Sequence, residues 1–167
     1  AVRADNRQII AHLPLAVRPD HLCFNRDGGQ LFVTGEARHA VVVVYPYFVP
    51  QVAETMLAGH APGAMATTDN YLFVTNPAAG DVTIVNITGG TRRKVISVAS
   101  VGAEPSYITF TTVDKNALVL NRKSGDMAVI SSRAIITDRA TRRKSAALFT
   151  MIPVGSKPVS AAVKAVG

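Results

Sequence analysis

The chain has 167 residues, about one domain by length, and carries 48% hydrophobic and only 17% charged residues, which excludes a disordered polymer and leaves enough apolar mass for a real core. No run of about 18 uninterrupted apolar residues occurs, so no transmembrane helix is expected, and the single Cys23 excludes an internal disulfide. The net charge of +7 permits acidic partners without demanding them.

The first residues, Ala1-Val2-Arg3-Ala4-Asp5-Asn6, include no initiator Met and no signal peptide and read as mid-domain sequence, so a processed or truncated chain is expected, compatible with a lost export signal. Residues 1–17 hold one apolar segment, Asn6 to Leu15, that reads as the outer strand of an incomplete unit. From Pro19 the pattern becomes regular. His21 to Phe24 is a short apolar run, Asp27-Gly28-Gly29 a turn, and Gln30-Leu31-Phe32-Val33-Thr34-Gly35 a buried strand. Ala40 to Tyr45 and Gln51 to Leu57 read as two more strands. The next segment repeats this order: Gly63 to Ala66, a turn at Asp69-Asn70, Tyr71-Leu72-Phe73-Val74-Thr75-Asn76, Asp81 to Asn86, and Lys94 to Val101. A third copy runs through Tyr107 to Phe110, Asn116 to Asn121, Asp126 to Ser131 and Ala146 to Val154. Finally, Val159 to Val163 resembles the first strand of another copy.

Pro19, Pro62 and Pro105 open the copies at a constant interval, and Pro158 follows ten residues late. The extra residues fall near Arg133 to Ala140, as a longer hairpin or a short helical turn, and such loop growth costs little. Four short strands per unit of this length are the sequence signature of a β-propeller blade. The expected fold is all-β: a β-propeller of four-stranded antiparallel blades, about three complete blades plus strand stubs at both ends. The blades are placed at 18–61, 62–104 and 105–157. Residues 1–17 are the outer strand of a preceding blade and 158–167 the inner strand of a following one.

The order Pro, apolar run, Asp-Gly, Leu-Phe-Val-Thr-Asn, Val-x-Val-x-Asn resembles the YVTN-type propeller repeat, in the superfamily of surface-layer and lactonase-like propellers. The second copy, with Leu72-Phe73-Val74-Thr75-Asn76, is nearest to it. The first departs at Gly35, and the third, Leu118-Val119-Leu120-Asn121, departs further. The resemblance covers nearly the whole chain and speaks for fold more than for function. A propeller closes with about four to eight blades, so three blades form an open arc. Either the chain is a fragment of a larger ring, the favoured expectation, or two chains join head to tail in a homodimer.

The resemblance further implies that fourth-to-first and second-to-third strand loops share one face. That face then gathers Asp20, His21, Glu36, Arg38, His39, His60, Asn76, Arg122, Lys123 and Lys157. Histidine, carboxylate and arginine together at a channel mouth can bind a ligand or act as acid and base, or they are ordinary solvated loop residues. Their spacing fits no compact metal motif, and neither a metal nor a cofactor is expected. The opposite face takes Arg92, Arg93, Lys94, Arg139, Arg142, Arg143 and Lys144, with Thr-Arg-Arg-Lys written twice. Such a basic hairpin face can hold phosphates, but no aromatics interleave for base stacking, so nucleic acid is not the favoured partner.

No Gly-x-Ser-x-Gly, Walker, His-Glu-x-x-His or Cys-x-x-Cys-His motif is present, and no catalytic residue is assigned. The first reading is a non-enzymatic scaffold binding a protein, a glycan or another ligand. Its expected location, periplasmic, cell-surface or secreted, comes from the resemblance alone. A lactonase-like hydrolase with its site at the channel mouth is the alternative, since similar propellers use Glu, Arg and His there. Polyanion binding by the basic face is the second alternative.

Overall fold

A computed structural model describes residues 2–35, 39–88, 93–132 and 148–164. Among the described residues twelve strands follow in order: β1 (His21–Phe24), β2 (Leu31–Thr34), β3 (Ala40–Tyr45), β4 (Gln51–Leu57), β5 (Met65–Thr67), β6 (Tyr71–Asn76), β7 (Asp81–Asn86), β8 (Lys94–Ser100), β9 (Pro105–Phe110), β10 (Asn116–Asn121), β11 (Asp126–Ser131) and β12 (Leu148–Pro153). They form three four-stranded antiparallel sheets, each of four consecutive strands, β1 to β4, β5 to β8 and β9 to β12. These are propeller blades. In every blade the pairing of the third with the outer strand carries a register shift at the same place, between Val43 and Val44, Ile84 and Val85, and Val129 and Ile130. Such bulges increase strand twist.

The two middle strands of a blade are apolar on both sides because both sides are covered. Successive side chains in a strand point to opposite faces. Val41 and Val43 therefore pack with Leu72, Val74 and Val85 of the second blade. Val42 and Val44 face the other way, onto Val17, Leu13 and Leu15. In the second blade Phe73, Val82 and Ile84 turn to Ala117, Val119, Ala128 and Ile130 of the third. This explains the uninterrupted Val41 to Val44 run, which alternation alone would have made half polar.

The end segments differ from expectation. Residues 6–15 make no ladder beyond a single bridge, Val2 to Ile9, and residues 158–164 form no strand. A strand needs a partner, and none of the described residues supplies the neighbouring strand of either unit. The first segment instead lays Leu13 and Leu15 on the flank of the first blade. The second is held where Tyr107 Oη donates to the Ala161 carbonyl over 3.2 Å. The inserted segment at 133–140 lies outside the described residues.

The motif asparagines have a structural task. Asn76 is fully buried, and its Nδ2 donates to Asp81 Oδ1 at 2.6 Å and Thr83 Oγ1 at 2.8 Å. Asn121 repeats the bond to Asp126 Oδ1 at 2.6 Å. Each clamps its β-hairpin turn, so Asn76 is not a ligand group on the open face. The turns also need Gly80 and Gly125, with φ of +69° and +72°, where an added Cβ would come within 3.0 Å of the Gly102 carbonyl and 2.9 Å of the Gly155 carbonyl.

Candidate functional site

At one end of the inner strands a cleft of about 390 Å³ opens between the blades, lined among others by Asp20, His21, Pro62, Gly63, Glu104 and Ser106. Asp20 is fixed by its backbone N–H, which donates to the Thr34 carbonyl at 2.9 Å. Thr34 in turn donates from Oγ1 to the Gly63 carbonyl, tying the first blade to the second. His21 opens β1, opposite Thr34. Its Nε2 lies 3.6 Å from Asp20 Oδ2, with the two side chains 44% and 55% exposed. This is an imidazole–carboxylate pair that water and a ligand can both reach.

A second cleft of about 340 Å³ adjoins the first and is lined by Glu104, Arg122, Lys123, Ser156 and Lys157. Glu104 borders both, and Arg122 Nη1 stands 3.8 Å from its Oε1. Sequence reading missed Glu104. The signal was its place before an opening proline: Ala61, Glu104 and Lys157 precede Pro62, Pro105 and Pro158, and all three take left-handed φ of 54°, 59° and 53°. Non-glycine residues rarely adopt this conformation, and here it recurs at successive blade entrances beside the clefts.

His39 and His60 are brought together, but apart from the Asp20–His21 pair. Their rings stack with centroids 4.4 Å apart, and the Ala61 N–H donates to His39 Nδ1 at 3.3 Å. Among the described residues no group of three His, Cys, Asp or Glu stands close enough to hold a metal. Glu36 and Arg38 lie outside the described residues.

On the opposite face, Arg92, Arg142, Arg143 and Lys144 likewise lie outside the described residues, as does Arg139. Lys94 is exposed. Arg93 is not an open phosphate grip. Its side chain is only 10% exposed and crosses to the first blade, donating to Glu54 Oε1 at 2.6 Å and to Gln30 Oε1 at 2.8 Å. Its guanidinium also sits 5.8 Å from the centre of the Tyr45 ring. Burial works against its charge, yet the hydrogen bonds to Tyr45 and Glu54 outweigh it and raise its pKa above the ordinary arginine value. Arg26 is a second unforeseen cross-link: it pairs with Asp69 of the second blade, at 3.3 Å, and with Asp114 of the third.

The fold is that of β-propeller proteins. Neither a family model nor a curated protein matches the chain. Solved structures do. A Bacteroides fragilis protein described as a candidate 6-phosphogluconolactonase superposes with a TM-score of 0.73 at 21% identity, over 95% of this chain and 47% of its own. The Pseudomonas aeruginosa periplasmic gluconolactonase gives 0.69 at 21% identity, over 86% and 42%. Kuenenia stuttgartiensis hydrazine synthase gives 0.70 at 21% identity, over 89% and 40%. The chain thus spans less than half the length of these structures, and the likeness is one of fold.

Proposed function

We propose that the paired clefts are the ligand mouth of a lactonase-like hydrolase acting on the lactone of a sugar acid. The observation that carries this reading is the placing of the Asp20–His21 pair and the Glu104–Arg122 pair around adjoining clefts at the inner ends of three blades. Lactone opening needs a base for water, charge to steady the carbonyl oxygen and hydroxyl-binding groups. In the proposed reaction, His21 takes a proton from water as the water oxygen bonds to the lactone carbonyl carbon. Asp20 steadies the resulting imidazolium. The ring carbon–oxygen bond then breaks, the ring oxygen takes the proton back, and a hydroxy acid leaves. Arg122 faces the new carboxylate. The two gluconolactonase-type neighbours support the choice of substrate. A periplasmic or other extracytoplasmic location is proposed with it, supported by the neighbour from Pseudomonas aeruginosa.

Acid release from glucono-δ-lactone, followed in a pH-stat, tests the reading. Turnover above the spontaneous background is expected, reduced at least tenfold in His21→Ala and in Asp20→Asn. Wild-type turnover at background refutes the hydrolase. If saturable binding of the lactone or its acid persists without turnover, the same mouth serves the non-enzymatic ligand-binding scaffold.

A further inference from the structure

Ser106 carries a buried hydroxyl with no bond to the rest of the fold. Its Oγ is closed off from water and has no hydrogen-bond partner among the described residues. Buried polar groups are nearly always bonded, so an exception calls for a reason. Two other buried side-chain oxygens lack a partner, Asn76 Oδ1 and Asn121 Oδ1. Those belong to amides whose nitrogens already clamp a hairpin turn. The Ser106 side chain has no such second task.

The backbone places Ser106 at the candidate mouth. Tyr107 pairs with Leu120 and Pro105 with Asn121, so the register of β9 shifts at Ser106 and leaves it as the extra residue. A bulge of this kind re-aims the side chain it carries, and bulges recur beside active sites. Ser106 follows Pro105 as Asp20 follows Pro19 and Gly63 follows Pro62. These three equivalent positions, one from each blade, all line the same cleft of about 390 Å³. They present a carboxylate, a bare backbone and a hydroxyl.

We propose that the Ser106 hydroxyl donates a hydrogen bond to an oxygen of the ligand in this cleft; on the hydrolase reading, on which this step rests, that oxygen is the lactone carbonyl oxygen. As the water deprotonated by His21 bonds to the carbonyl carbon, negative charge collects on the carbonyl oxygen. A donor aimed there holds the transition state more tightly than the bound lactone. The proton stays on Ser106, which is neither nucleophile nor base. Among the side chains lining this cleft, the carboxylates of Asp20 and Glu104 only accept, and His21 is occupied by the water, which leaves Ser106 as the donor. No bond fixes its rotamer. A turn about Cα–Cβ carries Oγ toward the cleft, and the ligand oxygen supplies the partner that Oγ lacks.

Ser106→Ala is the test, read with glucono-δ-lactone in the pH-stat and with gluconate by calorimetric titration. The value of kcat should fall about tenfold or more while KM moves less than about threefold. Gluconate should bind about threefold more weakly or worse, because its carboxylate is a charged acceptor for the same hydroxyl. Since the hydroxyl has no partner in the protein, the urea midpoint should stay the same or rise. A lower midpoint overturns the proposal, because the hydroxyl then serves the fold. Wild-type turnover that Ser106→Ala leaves intact overturns it too, and spares the hydrolase. Wild-type turnover at background refutes the hydrolase instead. In that case gluconate binding weakened by Ser106→Ala upholds the serine as ligand donor, and unchanged or absent binding overturns it.

Discussion

Arg93 of the second blade donates to Glu54 of the first across 2.6 Å, and it does so from a hairpin whose sequence reads as a solvated basic run. With the arginine largely buried, the pair ties two blades at their outer strands.

Arg93→Ala leaves the Glu54 carboxylate and Gln30 without their donor and should cost about 1–3 kcal/mol in urea unfolding. Arg93→Lys should recover only part, because an ammonium cannot span both acceptors as a fork does. The pH dependence follows from the raised pKa of Arg93. A raised folded-state value means that the stabilisation is fully present below the ordinary arginine pKa and is lost only above it. The gap between wild type and Arg93→Ala due to this titration should therefore stay constant from neutral pH to about pH 10.

Gly59 lies so close to the Asn76 amide that an added Cβ would collide with it. Gly59→Ala should destabilise by about 1–3 kcal/mol through overpacking. Asn76→Ala removes the clamp on Asp81 and Thr83 and should cost a similar amount. The double variant should cost less than the sum, because each change relieves the other's defect, and thermal unfolding of all three checks this.

Phe73 is fully buried and meets Phe110 edge to face, centroids 5.0 Å apart, at the junction of the second and third blades. Phe73→Ala should cost about 3–5 kcal/mol, measured in urea. Loss of near-ultraviolet but not far-ultraviolet dichroism would locate the damage between blades.

Burial raises the pKa of the Cys23 thiol, and a weaker contact with Thr67 acts the other way. Less thiolate is present at a given pH than for a free cysteine. Its reaction with a disulfide reagent should be slow at neutral pH and rise at more alkaline pH than that of a small thiol. Unfolding in urea should restore ordinary kinetics.

The strands were legible because short apolar, β-branched runs, turn residues and the recurring prolines mark them three times over. Leu72 to Asn76 needed no tertiary information to be read as a strand. Contacts across blade junctions left no such trace. Nothing in Thr91-Arg92-Arg93-Lys94 says that Arg93 turns inward while Lys94 stays in water, because that depends on where Tyr45 and Glu54 arrive from another blade. Glu104 was passed over for the same reason: it looks like a loop carboxylate until its backbone angle and Arg122 are seen together. The end segments, 6–15 and 158–164, carry strand-like composition, yet composition cannot supply a hydrogen-bonding neighbour.

One guanidinium, that of Arg26, reaches carboxylates in two further blades, Asp69 and Asp114. The loops of the three sheets therefore meet at one exposed point: tilting the first disturbs its bonds to both others. Raising the ionic strength screens that exposed pin but leaves the apolar junctions between the blades intact, so the stiffness of this loop cluster alone becomes a property of the buffer as well as of the sequence.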